Sequence, residues 1–465
     1  MSAPIIWIVF PILFMLFLLA LRRRRKAVNT LGIFFSFLLA VMALVIPVNQ
    51  TAGVGLFPFS LVSDWSVLGR VFSIRQTDLP FISFLYFIVT VWFFLSRDVE
   101  HQTLFIPLGL GVVATIIAAL AVQPFVYAAM LIEAAVLGCV VMLIDSRYPV
   151  GRGTMRFLIL QSLGMPFILL AGWFLASGEI TPLNPTQLTL SIVLLILGFA
   201  SWIGLFPLHT WIPMIAEDGN TLAAGFIFSI LPLSVIFFLM DFMNSYTWLR
   251  EYPLLYPVLR WLGSFMVLFA GVWAFFQKDL RQLFGYLIIA LNGMALLSIG
   301  IKGDSGITLL TYFFLPRFLS IILFASSLLE LEKAQIPFNL EEIPGLVGKA
   351  PFATLALLIS IFSISGLPLL PGFPFVQALI YELIGLSHLA LILYLIGMLM
   401  FFLTGLHILT ITQAKTTEGI KIKETPKIKS LLSFAMFLLL LAGIFPGFIN
   451  SFFLKLANNF PLLMH

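Results

Sequence analysis

Three ionisable residues lie inside long apolar stretches, where a charge is costly to hold. Glu133 stands in YAAMLIEAAVLGCVVMLID, His209 in GLFPLHTWIP, and Arg317 directly after Pro316 in TYFFLPRFLS. A carboxyl group or an imidazole can accept and release protons near neutral pH when its surroundings adjust its pKa, whereas arginine holds its proton. These residue types therefore allow proton transfer through Glu133 and His209, with Arg317 as a fixed positive charge.

Each residue also has a structural interpretation. Glu133 can stay protonated as a hydrogen-bonding acid, or it can pair with Arg156 on the neighbouring segment. We favour His209 as a polar group that caps carbonyls freed at a break in a helix, and Arg317 as a structural counter-ion. Glu382 is the remaining acidic candidate for a proton path, because ionisable groups near the membrane interior are functional candidates by default.

Other chemistries lack the residues they need. The single cysteine, Cys139, excludes a disulfide framework and a thiolate-held iron–sulfur cluster. The five histidines are scattered without metal-ligand spacing, and there is no glycine-rich phosphate loop or nucleophile elbow. We therefore expect no catalytic residue, no metal, no cofactor and no redox reaction in this chain alone.

The elements that must position these residues are membrane helices. Of the 465 residues, 61% are apolar and 10% are charged, against about 45–50% and about 25% in soluble domains. A membrane-spanning helix needs about 20 apolar residues. The predicted spans are 4–21, 28–48, 80–96, 104–122, 124–144, 157–176, 187–215, 221–241, 255–276, 282–301, 305–329, 351–385, 388–412 and 430–452. The sequence thus predicts an all-α integral membrane protein with about 14 transmembrane helices.

The distribution of basic residues indicates the orientation. The first span precedes the basic run Arg22–Lys26, so we interpret it as an anchor rather than a cleaved signal peptide. If that run is cytoplasmic, the cytoplasmic loops hold about 18 of the 25 lysines and arginines, as the positive-inside rule requires. This pattern predicts both termini outside, in a prokaryotic inner (cell) membrane. It also explains the net charge of +5 without a nucleic-acid partner.

Two apolar stretches, 187–215 and 351–385, are long and contain helix-breaking residues. Within lipid, such breaks persist only where the freed backbone groups find partners in protein or water. Two breaks five spans apart are typical of an internal repeat with ion sites at the breaks, although simple proline kinks are an alternative. The residues expected at the breaks are Pro207, Pro213, Gly366, Pro368 and Gly372.

Three loops are long enough to carry structure. The outer loop 49–79 contains VLGRVFSIR, whose alternation around a glycine predicts a short β-hairpin. The inner loops 330–350 and 413–429 are charged. We favour solvated connectors for both over contact surfaces for a partner.

Several motifs together resemble a known family. In chain order they are YAAMLIEAAVLGCVVMLID, FPLHTWIP, QKDLRQLFGYLIIALNG, SISGLPLLPGF and LAGIFPG. The chain resembles the antiporter-like membrane-arm subunits of respiratory complex I (NADH:quinone oxidoreductase), which are related to Mrp antiporter and membrane-bound hydrogenase subunits. The resemblance implies two inverted five-helix repeats with two broken helices, and other membrane subunits and lipid as partners.

The resemblance also implies a domain order. Residues 1–103 form three N-terminal helices with the outer hairpin, and residues 104–241 form the first repeat. Residues 242–412 form the second repeat, and residues 413–465 form an inner loop and the final helix.

The family carries a chain of titratable groups at mid-membrane, and this sequence lacks most of them. The family glutamate corresponds to Glu133. The family lysine and histidine positions correspond to Trp202, Ser229, Leu291, Pro316, Ser320 and Val376. We therefore expect a subunit of a complex I-like proton-translocating oxidoreductase with a degenerate ion path and a largely structural role. A subunit of an Mrp-type cation/proton antiporter, a hydrogenase or an inorganic-carbon uptake complex is the alternative.

Overall fold

Apolar helices dominate the computed structural model of the chain. It describes residues 2–49, 51–54, 57–97, 99, 103–144, 151–177, 185–414 and 426–464. Within these residues, ten helical segments are long and apolar enough to cross a membrane, and five shorter apolar helices accompany them. The predicted class, an all-α integral membrane protein, is confirmed.

The chain divides into two compact units, Met1–Ile203 with Ile230–Leu239, and Gly204–Ser229 with Met240–His465. The first unit begins with a π-helical turn, Ile5–Val9. Its helices are α1 (Phe10–Ala20), α2 (Arg25–Val45), α3 (Leu79–Ser96), α4 (Phe105–Ala121), α5 (Val126–Leu143), α6 (Arg152–Ser177) and α7 (Pro185–Ile203). The following helices are α8 (Trp211–Asp218), α9 (Thr221–Ser245), α10 (Thr247–Arg250), α11 (Leu255–Phe276), α12 (Leu280–Gly300), α13 (Gly303–Lys333), α14 (Leu346–Lys349), α15 (Pro351–Ile364), α16 (Gly372–Leu386), α17 (His388–Gln413), α18 (Pro426–Ile444) and α19 (Pro446–Ala457). Short 3₁₀ turns lie at Leu208–Thr210, Leu340–Glu342 and Pro461–Leu463.

The loop 49–79 and the strand Val122–Gln123 form small antiparallel sheets, and the predicted hairpin is confirmed. Strand β3 (Asp64–Val67) pairs with β4 (Arg70–Ser73), and β4 also pairs with β5 (Val122–Gln123). An additional hairpin precedes it, formed by β1 (Thr51–Val54) and β2 (Phe57–Ser60). Leu68 and Gly69 join β3 to β4 with φ angles of 50° and 73°. Positive φ at both central residues is the turn that matches the twist of two-residue hairpins, and it favours glycine.

Several helices keep a broad apolar face exposed. On α2 this face includes Phe34 and Leu44, and on α17 it includes Leu389, Ile392 and Leu399. Such faces would be unfavourable in water but are matched to the hydrocarbon of a bilayer. In contrast, α12 is almost completely buried, so it forms part of the interior of the second unit.

Glycines set the distance between α11 and its neighbours in the second unit. A Cβ atom added to Gly263 of α11 would lie 2.6 Å from the carbonyl oxygen of Gly293 on α12. A Cβ atom on Gly397 of α17 would lie 2.6 Å from the carbonyl oxygen of Val267 on α11. These three helices therefore approach backbone to backbone, as small residues allow in membrane proteins.

The loop 330–350, which we expected to be a solvated connector, is held by backbone hydrogen bonds. The Leu280 amide donates to the Phe338 carbonyl (3.0 Å), and the Leu340 amide donates to the Lys278 carbonyl (2.8 Å). Leu340 is also buried. Charge content alone led to the wrong expectation, because the backbone of this loop pairs with the turn between α11 and α12. Most of the other inner loop, 413–429, lies outside the described residues.

An exposed ion pair lies beside this loop. Lys278 Nζ is 2.6 Å from Glu341 Oε1. The hydrogen bond and the charge of Glu341 raise the pKa of Lys278, and Lys278 in turn lowers the pKa of the Glu341 carboxyl group. Because both side chains are solvated, the pair adds little to stability. The backbone hydrogen bonds therefore anchor the loop.

The final predicted span, 430–452, is not one helix. Helix α18 ends at Ile444, and α19 begins at Pro446. The intervening residue, Phe445, has φ −122° and ψ 65°, because a residue before proline is disfavoured in the helical region.

We expect Gly263→Ala to destabilise the protein, because the added methyl group must push α11 away from α12. Overpacking of this kind costs about 1–3 kcal/mol. Gly385→Ala is the matched control, since nothing lies within 4 Å of a Cβ atom at this helical glycine. The measurement is the unfolding temperature in mild detergent. Equal unfolding temperatures for the two variants would contradict the proposed role of Gly263.

Candidate functional site

Glu133 lies on α5 and bonds to α6. Its Oε1 accepts a hydrogen bond of 2.5 Å from the Ser162 hydroxyl, while its Oε2 is buried with no hydrogen-bond partner. The alternative pair with Arg156 is not formed. Arg156 is exposed near the start of α6, and six residues, or about 9 Å of helix rise, separate it from Ser162. A neutral hydroxyl therefore holds the carboxyl group.

Trp202, to which the family resemblance assigns a lysine, fills the contact between α6 and α7. The side chain is fully buried, and its Nε1 donates to the Gln161 carbonyl at 3.0 Å. Gln161 Nε2 returns a hydrogen bond of 3.2 Å to the Trp202 carbonyl. Gly164 faces the indole, and a Cβ atom there would overlap with it. An aromatic side chain with its own hydrogen bond therefore fills this contact, and it cannot act as a proton relay.

The first helix break lies between α7 and α8. Pro207 stands in it as predicted, together with Gly204, whose φ of +74° favours glycine. Pro213 was wrongly placed at the break, because it lies in the first turn of α8. A missing backbone donor costs nothing in a first turn. Pro213 instead packs against α12, where a Cβ atom on Gly285 would lie 2.9 Å from the Pro213 nitrogen.

His209 sits in the 3₁₀ turn of this break and is held by aromatic rings. Its ring stacks on Phe206 at 5.5 Å and meets Phe269 edge-on at 4.8 Å between centroids. The Nδ1 atom is buried and has no hydrogen-bond partner. The expected capping of freed carbonyls is therefore not made by this atom. Ring contacts, which the sequence pattern did not reveal, orient the imidazole.

The second helix break lies between α15 and α16. Gly366, with φ +73°, and Pro368 stand in it as predicted. Gly372 was placed in the break but is the first residue of α16. A side chain at Gly372 would overlap the Ser363 carbonyl. The close approach of the start of α16 to the backbone of α15 therefore requires this glycine, and a turn of the chain does not. Glu382 lies further along α16 and is half-buried.

A small cavity beside the second break brings four family positions together. Its volume is about 10 Å³, roughly the space of one water molecule. The lining includes, from α12, α13 and α16, Leu291, Pro316, Ser320 and Val376. The resemblance assigns a titratable group to each of these positions. Here they contribute apolar surface and one hydroxyl group, so no lining residue among them can relay a proton as an acid or base.

Arg317 is buried next to this cavity-lining segment. Only 1% of its surface is exposed, and its Nη2 donates to Asn292 Oδ1 at 2.7 Å. Its Nε and Nη1 are buried with no hydrogen-bond partner. The expected counter-ion role is wrong for the part of the chain that the structure describes, where Arg317 forms no ion pair with a carboxylate. The sequence analysis missed Asn292, although an amide inside IIALNG was a usable signal.

Comparison with known proteins defines the family. Residues 128–404 match the family model described as NADH:quinone oxidoreductase/Mrp antiporter, transmembrane. This match covers more than half of the chain, so the chain belongs to this family of antiporter-like membrane subunits.

Known relatives match the sequence of this chain over part of their length. The chain is 26% identical over 281 residues to NADH-quinone oxidoreductase subunit N of Pelagibacter ubique, covering 58% of each chain. It is 25% identical over 213 residues to NADH-ubiquinone oxidoreductase chain 5 of Hippopotamus amphibius, covering 44% of this chain and 35% of the relative. The aligned region thus spans less than two thirds of these curated relatives.

Solved structures share the fold over almost the whole chain. A chain of an archaeal membrane-bound sulfane sulfur reductase superimposes with a TM-score of 0.81 at 15% identity, covering 99% of this chain and 98% of that one. A chain of the Mrp complex from Dietzia sp. DQ12-45-1b gives 0.79 at 15% identity, with 99% and 97% covered. A chain of respiratory complex I from Thermus thermophilus with bound NADH gives 0.74 at 19% identity, with 99% and 100% covered.

We expect Trp202→Phe to lower the free energy of unfolding by about 1–2 kcal/mol, because it removes the indole hydrogen bond and leaves a small void. The control is Trp173→Phe on α6, where the indole is 68% exposed and its loss should be nearly neutral. Denaturant or thermal unfolding in detergent measures both variants. If the Trp202→Phe protein is as stable as the control, the indole does not stabilise the contact between α6 and α7.

Proposed function

We propose that this chain is an antiporter-like subunit in the membrane arm of a complex I-like, proton-translocating oxidoreductase. Its own ion path is degenerate, and its main role is structural. The observation that carries the proposal is the cavity lined by Leu291, Pro316, Ser320 and Val376. An aliphatic side chain, a proline ring or a serine hydroxyl cannot change its charge near neutral pH, so these four positions lack the groups that a proton relay needs.

Two titratable groups of the first half, Glu133 and His209, can serve a proton path. Glu133 has one oxygen bonded to Ser162 and one without a hydrogen-bond partner. His209 lies in the first break with a free Nδ1. Each group can both accept and donate a proton, which every step of a relay requires. Any proton path that survives in this chain runs through these residues, and Arg156, Arg317 and Glu382 do not relay protons.

A place in an Mrp-type antiporter, a hydrogenase or an inorganic-carbon uptake complex is the second candidate. The matched family includes Mrp antiporter chains, and this observation keeps the candidate open. Copurification in mild detergent separates the two proposals. Subunits of a quinone-reducing oxidoreductase among the partners support the first. Subunits of an antiporter, a hydrogenase or a carbon-uptake system support the second.

We further propose the topology that the family implies. It has about 14 spans, with one inverted repeat over 104–241 and another over 242–412. Residues 1–103 and 413–465 flank the repeats, both termini lie outside, and the membrane is a prokaryotic inner membrane. The two helix breaks, between α7 and α8 and between α15 and α16, support the repeat. Other membrane subunits and lipid cover the exposed apolar faces.

We expect single cysteines at Glu251 and Glu342 to be labelled from opposite sides of the membrane. Both residues are exposed, and the proposed topology puts Glu251 outside and Glu342 in the cytoplasm. Cys139 is buried and serves as the unlabelled background. A membrane-impermeant maleimide added to intact cells should label only Glu251→Cys, while disrupted cells should show both. Labelling of Glu342→Cys alone in intact cells would contradict the orientation.

We expect any loss of proton pumping by the complete assembly to be confined to Glu133→Gln and His209→Phe, because neither variant can exchange a proton at that position. Phenylalanine keeps the ring contacts with Phe206 and Phe269, so it removes only the titration of His209. Arg317→Met and Glu382→Gln are the controls and should pump normally once assembled. The measurement is proton uptake into sealed vesicles, normalised to the amount of assembled complex.

One outcome would contradict this proposal. Loss of pumping only in Arg317→Met, at normal assembly, would place the path in the second half. Normal pumping in all four variants would support the structural role and exclude a path through Glu133 and His209.

A further inference from the structure

Two helix breaks lie side by side in the second unit. One is the second helix break, between α15 and α16, and the other lies at Phe445, between α18 and α19. They are in direct contact, because a Cβ atom added to Gly443 of α18 would overlap the Leu369 carbonyl oxygen of the second break. The two interruptions of regular helix therefore form one continuous piece of surface.

This surface lies deep in the membrane-spanning region. Helix α15 has 14 residues and α16 has 15, so each extends about 21–22 Å away from the break along its axis. The hydrocarbon core of a bilayer is about 30 Å thick. A break this far from both ends of its span lies within the hydrocarbon, where the backbone has no bulk water to bond.

The second break leaves backbone groups without partners. Among the described residues, no donor reaches the carbonyl oxygens of Ile364, Ser365, Gly366, Pro368 and Leu369. The Leu369 amide donates no hydrogen bond either. In a membrane, irregular backbone of this kind persists only where protein covers it or where it lines a water-filled cavity.

The same segment faces outward. Leu369 is 66% exposed, and Leu367 and Pro368 are exposed beside it. Next to the other break, Phe445 is 62% exposed and Ile444 is exposed as well. Side chains this exposed do not line a cavity within the described part of the chain, and lipid tails offer no hydrogen bonds. The cover that fits is another membrane protein.

The free carbonyl groups indicate the chemistry of that partner. The C-terminus of a helix carries partial negative charge, and both α15 and α18 end at this surface. Neither helix has a basic residue in its last turn to offset that charge. The complementary group is a hydrogen-bond donor, such as a hydroxyl, an amide or a cation, on a helix that runs past the two breaks.

Leu369 adds an apolar contact for such a helix. Its φ of 75° lies in the left-handed region, which strains a side chain as bulky as leucine. Glycine would adopt this conformation freely, so the turn by itself does not call for leucine. A strained residue persists where its surroundings impose the conformation, and contact with a partner gives this exposed leucine a role.

We propose that these residues form a docking surface for a transmembrane helix of another membrane subunit. We call it the break surface, and it consists of Leu367, Pro368, Leu369, Ile444 and Phe445. The docked helix presents a hydrogen-bond donor to the free carbonyl groups of the second break, and Leu369 and Phe445 pack against it. The inference rests on the proposed function only in that the chain is a subunit of a membrane assembly. It is independent of proton transfer and of the kind of assembly.

The first test is photo-crosslinking in the native membrane. A benzophenone-bearing amino acid replaces Leu369 in the full chain, and the adducts are identified by mass spectrometry. We expect adducts with one transmembrane helix of a copurifying subunit, within about one helical turn, or 5.4 Å, of a donor side chain. Leu399, which is 54% exposed on the unbroken helix α17, is the control position and should form no adduct with that helix.

Variants separate docking from folding. Leu369→Gly removes the apolar contact but suits the φ angle, so the amount of chain in the membrane should stay unchanged. The yield of the crosslinked subunit that copurifies with a tagged chain should fall about ten-fold, as when an important interface side chain is lost. Phe445→Ala should lower it in the same way, and Leu399→Ala should leave it normal. If Leu369→Gly does not accumulate, Phe445→Ala and the crosslinks decide.

Two results would overturn the proposal. One is a set of adducts from position 369 that contains only phospholipid or a second copy of this chain. The other is a normal yield of every copurifying subunit with both Leu369→Gly and Phe445→Ala. Partners that belong to an antiporter instead of an oxidoreductase would contradict the proposed function, whereas the docking of one of their helices on the break surface would still support this inference.

Discussion

Hydrocarbon offers no hydrogen bonds, and this constraint shapes every polar feature of the protein. A buried charge or a free backbone group must find its partner within the chain, at a cost of several kcal/mol if it does not. The Glu133 carboxyl group accordingly bonds to Ser162, the Trp202 indole to the Gln161 carbonyl, and one nitrogen of Arg317 to Asn292. Where partners are missing, as at Nδ1 of His209 and two nitrogens of Arg317, function or a ligand is the natural explanation.

The same constraint applies at the positions to which the family resemblance assigns titratable residues. Trp202 fills the contact between α6 and α7 and supplies its own hydrogen-bond donor. In the second half, Leu291, Pro316 and Val376 close around a space of about 10 Å³. These side chains contribute packing and hold no charge that a buried site would have to compensate.

Sequence patterns predicted those parts of the structure that depend on local chemistry. Long apolar runs gave the helices, the glycine in VLGRVFSIR gave the hairpin, and Pro207, Gly366 and Pro368 gave the two breaks. The alignment of family motifs also selected four residues that line one cavity. These features depend on backbone geometry and hydropathy, which can be recognised in the sequence without knowledge of the tertiary contacts.

Features that depend on tertiary partners were not predictable in this way. The fully buried position of Arg317 and its bond to Asn292 depend on how α12 meets α13. The ordered loop 330–350 depends on backbone pairing with the turn before α12. Pro213 and Gly372 were misplaced because a first helical turn and a break have the same composition.

The central claim is that proton exchange is confined to the first half, because the second half is closed by packing. The most direct measurement is a structure of the complete assembly at a resolution that shows individual water molecules. If proton exchange is confined to the first half, we expect ordered water beside Glu133 and His209. In the cavity next to Ser363 we expect a single density peak at most. A continuous file of water molecules passing Leu291, Ser320 and Val376 would contradict it.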